Sequence, residues 1–337
     1  MKRILVIGCG DIARRAIPLL APRFRVFALV RRTEAMETAR ALGATPLRGD
    51  LDERRSLARL AGIADAVLHF APPPAGEAAE QDARTRRLLA ALSGRGSLPQ
   101  RFIYISTTGV YGDCGGAWID ETRPRRAETA RARRRVDAEQ RLRALGRRRR
   151  VAVALLRAPG IYAADRLPIA RLARGDPVPA EEVFTNHIHA DDLARLAVAA
   201  LFRARAGRVY NAVDGHPLRV SDYFDLVADA RRLSRPPRLP WTELAGRLPP
   251  AARSFLRESR RIGNARLVRE LGYRLRYPSV AHGLAALPAL YSTPHAPFRA
   301  ATDTPCFIAS SKSCTFSSSS VGSPDCSTCR AFSSTTP

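Results

Sequence analysis

The chain has 337 residues, 45% of them hydrophobic, enough apolar material for one large domain or a domain with a small lobe. Its 56 Lys and Arg against 31 Asp and Glu leave a net charge of +25, which invites a polyanion-binding reading. Lys2 and Lys312 are the chain's lysines, however, and the arginines are dispersed, densest over 123–135 and at Arg147–Arg150; with no nucleic-acid module beside them, dedicated nucleic-acid binding is not expected. No apolar run reaches membrane-spanning length. The short apolar run after Met1-Lys2-Arg3 stops at a glycine turn instead of continuing as a signal-peptide core, so it is read as the first strand of a cytoplasmic protein.

That strand, Arg3 to Ile7, runs straight into Gly8-Cys9-Gly10-Asp11-Ile12-Ala13 and then an Ala/Leu/Arg-rich helical segment. The pattern G-x-G-x-x-A between strand and helix is a dinucleotide-binding turn. Gly8 permits the tight bend, Gly10 lets the backbone approach the pyrophosphate, and Ala13 allows close helix–strand packing. The N–H groups that follow, from Asp11 and Ile12 onward, carry the partial positive charge that phosphates seek.

Phe24 to Val30 reads as the second strand, ending at Arg31-Arg32-Thr33. An acidic residue there would bond a free ribose 2′-hydroxyl, whereas arginine suits a 2′-phosphate. Arg31 and Arg32 therefore predict NADP(H) in preference to NAD(H).

Ala44 to Leu47 predicts a third strand ending at Gly49-Asp50-Leu51, and Asp65 to Ala71 a fourth. A helix is expected over Ala78 to Leu92, a strand over Arg101 to Ser106, a long polar helix over Ala127 to Leu145 and a buried strand over Val151 to Leu156. Such alternation predicts an α/β fold, a Rossmann-type doubly wound parallel sheet with helices on both faces. Ligands in it sit beyond the carboxyl ends of the strands, which makes Asp50, Leu51 and Ala71 cofactor-side candidates.

From the fifth strand onward the residues resemble a known family. Phe102-Ile-Tyr-Ile-Ser-Thr-Thr-Gly-Val-Tyr-Gly112, Trp118-Ile-Asp-Glu121, Leu156-Arg-Ala-Pro-Gly-Ile-Tyr162, Asn186-His-Ile-His-Ala-Asp-Asp-Leu193 and Val209-Tyr-Asn-Ala-Val213 occur in the order seen in the extended short-chain dehydrogenase/reductases, also called the NAD-dependent epimerase/dehydratase family. The pattern is most similar to the atypical, YeeZ-like branch and covers residues 2 to about 287. The resemblance implies a Rossmann core (about 1–160 plus 184–214) and a small C-terminal substrate lobe (about 161–183 and 215–290). It also implies a Ser/Thr, Tyr and Lys acting together on the carbonyl of a small aldehyde, ketone or nucleotide-linked sugar. In that trio Tyr is the acid/base, Lys holds the nicotinamide ribose, and the Ser/Thr hydroxyl polarises the substrate oxygen.

Thr107 stands at the Ser/Thr place, four residues before Tyr111. At the Y-x-x-x-K place the chain has Arg131 and Arg135, and no lysine occurs between Lys2 and Lys312. An arginine stays protonated at neutral pH and neither takes nor gives a proton. Arg135 can still bond a ribose and Arg131 an anionic substrate group, but proton transfer falls to Tyr111, Tyr162, His187 or a water. The alternative to an atypical enzyme is a non-catalytic dinucleotide-binding sensor or scaffold. Asp82 matches an acidic residue of this branch near its site, or is an ordinary helix-surface carboxylate. His187, His189, Asp191 and Asp192 could ligate a metal; the resemblance instead makes them a strand-to-helix segment with Asp191 or Asp192 as helix cap, and no metal is expected.

Composition changes near Pro288, and from Ser292 onward Ser, Thr, Pro and Cys dominate. Cys326 and Cys329 have C-x-x-C spacing, yet Cys306 and Cys314 do not make a second such pair, so residues 291–337 are expected to be a disordered extension.

Overall fold

The computed structural model describes residues 2–287 apart from 77–79, 95–97 and 249; the Ser/Thr/Cys-rich tail and its cysteines lie outside the described residues. Chain order opens with β1 (Arg3–Ile7), α1 (Asp11–Leu20), β2 (Arg25–Val30), α2 (Thr33–Ala41), β3 (Ala44–Arg48), β4 (Ala66–His69), α3 (Ala83–Leu92) and β5 (Arg101–Thr107). It continues through β6 (Trp118–Ile119), α4 (Ala130–Arg149), β7 (Ala152–Ala158), β8 (Gly160–Tyr162), α5 (Ile169–Ala173), β9 (Val178–Pro179), β10 (Phe184–Thr185), β11 (His187–His189), α6 (Ala190–Arg203) and β12 (Val209–Asn211). The remainder is β13 (Leu218–Arg219), α7 (Val220–Arg231), β14 (Arg238–Leu239), α8 (Trp241–Leu244), α9 (Pro250–Arg257), β15 (Arg261–Ile262), α10 (Ala265–Leu271) and α11 (Val280–Ala285).

Seven parallel strands form the main sheet in the order β3-β2-β1-β4-β5-β7-β12. Strand order reverses between β1 and β4, the place where a doubly wound sheet opens a crevice for ligand. The near-continuous apolar strands follow from burial on both faces. Ile4 and Val6 turn to one side and pack with Ile17, Leu20 and Leu193 of α1 and α6, while Leu5 and Ile7 turn to the other and meet Leu57, Leu88 and Leu142. At about 25 cal/mol per Å² of apolar surface, these two layers supply most of the driving force for folding.

A separate apolar cluster, including Tyr162, Leu172, Phe224, Leu244, Val280 and Leu284, gathers the C-terminal helices. A two-residue ladder stitches this part to the sheet side: β6 pairs with β15 through Trp118–Arg261 and Ile119–Ile262. The long helix expected over 127–145 runs from Ala130, where the Thr129 hydroxyl accepts the Ala132 N–H at 3.1 Å, and continues to Arg149. The helix expected from Ala78 begins instead at Ala83, because the buried Asp82 carboxylate accepts the Thr85 N–H and caps it there. Among the described residues no helix is long and apolar enough to cross a membrane.

Candidate active site

The turn after β1 is shaped by two glycines with different tasks. Gly8 has φ +87°, and a Cβ on it would lie 2.7 Å from the Ala71 nitrogen, so the turn is pressed against the end of β4. Gly10 has ordinary extended backbone, and a Cβ there would meet nothing within 4 Å. Open space therefore stands over Gly10, directly at the start of α1, whose first turn carries no side-chain cap. Ile12 and Ala13 are buried beneath it. The Asp11 carboxylate is neutralised sideways: it accepts from Arg15 Nε at 2.8 Å and Arg166 at 3.0 Å, and Arg15 reaches on to Asp191 at 2.5 Å. A cradle of free N–H groups with room above it fits a dinucleotide pyrophosphate.

The next strand ends border the same edge. Arg31 and Arg32 are exposed, and the Arg31 guanidinium stands 4.0 Å from the Asp50 carboxylate. Asp50 accepts the Asp52 N–H at 2.9 Å, and the Leu51 carbonyl accepts from Arg87 at 3.3 Å. Asp52 takes a paired contact from Arg84, whose hydrogen bonds hold its carboxyl below the usual range. At β4, His69 is fully enclosed; burial, reinforced by the charge of Arg135, pushes its pKa down to about 3. Its Nε2 lies 3.2 Å from Thr85 Oγ1, which donates to Asp82 at 2.7 Å.

At the end of β5, Thr107 Oγ1 accepts the Gly109 N–H at 3.2 Å and so opens a short helical turn over Thr108–Tyr111. The first turn of α4 packs beside it: a Cβ on Gly109 would be 3.6 Å from Thr107 Oγ1 and 3.9 Å from the Ala132 methyl. Arg131 and Arg135 thus lie on a helix running past Thr107. Arg135 donates to Tyr104 Oη at 2.9 Å and to the Ile105 carbonyl at 2.7 Å, which turns it onto β5. Arg131 is exposed.

The tyrosine and histidine candidates for proton transfer are engaged inside the protein. Tyr111 is fully buried, donates its hydroxyl to Asn211 at 2.7 Å and lies under the Arg157 guanidinium. Tyr162 donates to the Ser279 carbonyl at 3.0 Å. Burial raises both phenols. His187 is stacked on Tyr223 at 4.1 Å, and burial pushes it down to about 3. The expected helix cap is also reassigned: α6 is capped by His189, whose Nδ1 accepts the Asp191 N–H at 3.2 Å. Asp191 pairs with Arg15, and Asp192 accepts from Tyr273, Arg276 and Tyr277. The cap forms at His189 because helix geometry begins two residues before an Asp191 cap would start it, and three before an Asp192 cap.

Sequence reasoning missed two features near the site. One is the buried Arg157–Glu139 pair, at 3.0 and 2.8 Å, to which Ser106 donates at 2.7 Å. The spacing of Glu139 four residues after Arg135 on α4 carried no sign of its partner on β7. The other is Arg260, which donates to the Gly112 carbonyl and to Glu258, each at 2.7 Å. It is separated from Gly112 by 148 residues, and no local pattern joins them.

The sequence profile of a family described as NAD(P)H-binding matches residues 8–204. A solved structure of a conserved protein of unknown function from Silicibacter pomeroyi is 32% identical, covers 85% of this chain and 98% of its own, and superposes with a TM-score of 0.72. A 4-hydroxy-2-methyl-3-oxo-4-farnesyl-3,4-dihydroquinoline-1-oxide ketoreductase from Stigmatella aurantiaca is 26% identical over 247 residues, 68% of this chain and 73% of that protein. The same fold is seen in DesIV, a dTDP-glucose 4,6-dehydratase from Streptomyces venezuelae, at 22% identity and TM-score 0.66, covering 85% of this chain and 95% of that one. That structure holds NAD, which overturns the expected preference for NADP(H). The physical reason lies at β2, where exposed Arg31 leans toward Asp50, and in an arginine-rich composition that places guanidiniums without regard to a 2′-phosphate.

Proposed function

We infer function from one premise: the chain belongs to the NAD(P)H-binding family, and its Rossmann fold relates it to the NAD-dependent epimerase/dehydratases. It is an NAD(P)-binding protein of oxidoreductase/epimerase type. On our reading it is an atypical extended short-chain dehydrogenase/reductase of YeeZ-like kind that uses NAD(H) on a small carbonyl compound or nucleotide-linked sugar. The sheet and its flanking helices form the cofactor half, and the C-terminal helices form the substrate lobe. The observation that carries this reading is the open cradle over Gly10 at the uncapped start of α1, backed by Gly8 against Ala71.

In this reading Gly8, Gly10 and the N–H groups of Asp11, Ile12 and Ala13 receive the pyrophosphate, while Asp50, Leu51 and Ala71 border the remainder of the cofactor. A dinucleotide bound there would supply hydride-transfer chemistry. Thr107 orients the substrate oxygen, and the cationic side of α4 stabilises negative charge developing on that oxygen. With arginines at 131 and 135, and with Tyr111, Tyr162 and His187 enclosed, the proton comes from water.

The protein is mixed with NADH and a panel of aldehydes, ketones and nucleotide-linked keto-sugars, and loss of NADH absorbance is followed. Turnover that disappears in Gly10→Val supports the reading. A second reading, a non-catalytic NAD(H) sensor, is favoured by the same two arginines. NADH binding without turnover on any member of the panel would select it.

A further inference from the structure

Asp11 is the first residue of α1, directly after Gly10, so its carboxylate belongs to the same turn as the open cradle. A negative charge there suits the positive end of the helix, and it opposes any anion seeking that same end. A phosphate held by the N–H groups of Asp11 to Ala13 would lie within the roughly 10 Å over which charges act in about 0.1 M salt. Two guanidiniums take up the carboxylate, one on each oxygen. Arg15 donates to Oδ1 at 2.8 Å, and Arg166 donates to Oδ2 at 3.0 Å. Arg15 is shared, since it also donates to Asp191 at 2.5 Å and to Asp165 at 3.3 Å. Asp191 lies 3.7 Å from His189 Nδ1 as well, and Arg195 lines the hollow beside it and Arg15. Arg166, by contrast, is paired with Asp11 alone among the described residues. It arrives from far along the chain. Ala163 is buried in the layer of α1 and α6, the Arg166 N–H closes a turn onto the Ala163 carbonyl at 3.0 Å, and Leu167 and Ile169 run on to the C-terminal apolar cluster. The side chains of Arg166 and Asp11 are 32% and 28% exposed, so their pairing adds little to stability. Its consequence is where the carboxylate is held and how much of its charge the cradle feels.

We propose that Arg166 is a positioning residue for the cradle: it holds and offsets the Asp11 carboxylate, so that a pyrophosphate group can occupy the neighbouring N–H groups. This role rests on the reading above for the dinucleotide. Through it the C-terminal part of the chain sets the affinity of a turn that lies 155 residues earlier in sequence.

The full chain is titrated by calorimetry with NADH and, separately, with inorganic pyrophosphate; the binding lost in Gly10→Val is the part assigned to the cradle. Arg166→Gln weakens that part for both probes by about threefold or more, and Arg166→Lys by less. Raising the salt from about 0.05 M to about 0.5 M narrows the gap between the parent and Arg166→Gln. Adding Asp11→Asn to Arg166→Gln returns the affinity to within about twofold of the parent, a rescue that a merely structural contact would not show. Arg174→Gln, which removes an exposed cation paired with Asp176, leaves both affinities unchanged. Undiminished affinity in Arg166→Gln, or a double variant as weak as Arg166→Gln alone, overturns the proposal. Pyrophosphate binding that depends on Arg166, without NADH binding, removes the dinucleotide reading and keeps the role of Arg166. NADH binding indifferent to Arg166 does the reverse, and a parent that binds neither probe removes both.

Discussion

The Cβ that Gly8 lacks would lie 2.7 Å from the backbone nitrogen of Ala71, so the cofactor turn and the end of β4 touch main chain to main chain. Gly8 is therefore required by the close packing of the fold, whereas at Gly10 the space stays open, which in the proposed reading serves the ligand. Gly8→Ala meets a positive φ and a backbone clash together, and is expected to cost at least about 2 kcal/mol in urea denaturation. Gly10→Val has allowed backbone and free space, so its melting temperature should match the parent while NAD(H) affinity is lost. Loss of stability in Gly10→Val, or retained NAD(H) binding, would show that the cradle has been misread.

The Arg157–Glu139 pair is enclosed between β7 and α4, with exposures of 3% and 0% for the two side chains. Removing one partner of such a pair leaves a buried charge and typically costs about 3–5 kcal/mol. Glu139→Gln and Arg157→Gln should each lie near that range. The double variant should cost less than their sum, because the second change removes the stranded charge. Strict additivity by denaturant titration would mean that the two charges do not interact.

Much of the fold was legible because the strands of a sheet buried on both faces are short apolar runs between charged, polar or glycine residues, as in Arg3–Ile7 and Arg101–Thr107. The turn over Gly8 and Gly10 was legible for the same reason: backbone geometry there restricts residue type. Side-chain partnership was not. Arg31 and Arg32 suggested a 2′-phosphate grip, yet charge alone does not say where a long guanidinium points, and Arg31 leans toward Asp50. Asp82 caps α3 from a buried position, which its place in a polar stretch disguised. Arg260 meets Gly112 only through tertiary structure.

Tyr111 and Tyr162 provide a test of where the proton originates. Each hydroxyl is already donated inside the protein, to Asn211 and to Ser279 respectively. Tyr111→Phe and Tyr162→Phe should each lose roughly 1 kcal/mol of stability for the missing hydrogen bond. Any NADH-dependent turnover should persist in both within about twofold, since in the proposed mechanism the proton comes from water. A loss of about a hundredfold in kcat in either variant, with melting temperature kept, would restore that tyrosine to the chemistry.

Stability should climb from acid pH and level off near neutrality, for opposing reasons at Asp214 and at two histidines. Burial raises the Asp214 carboxyl from 3.8 to about 7; its Oδ1 accepts the His216 N–H at 3.0 Å, while Oδ2 is enclosed without a hydrogen-bond partner among the described residues. The folded state holds that proton more tightly than the unfolded chain. Its stabilising share is therefore complete below the unfolded value and is lost as pH rises through about 7. His69 and His187 are lowered from 6.5 to about 3, so theirs is present above 6.5 and lost as pH falls toward about 3. Between about pH 4 and 6.5 the unfolded chain gains two protons on the histidines while the folded state holds one on Asp214, so stability rises by about 1.4 kcal/mol per pH unit. Near pH 7 the two contributions cancel and the climb ends. Asp214→Asn steepens the climb: relative to the parent it should gain stability progressively from about pH 4 to about pH 7, by a few kcal/mol at most, and hold that gain at higher pH. Denaturant titrations of both proteins across the range measure the gap directly. A gap that stays constant over the whole range would mean that Asp214 does not titrate there.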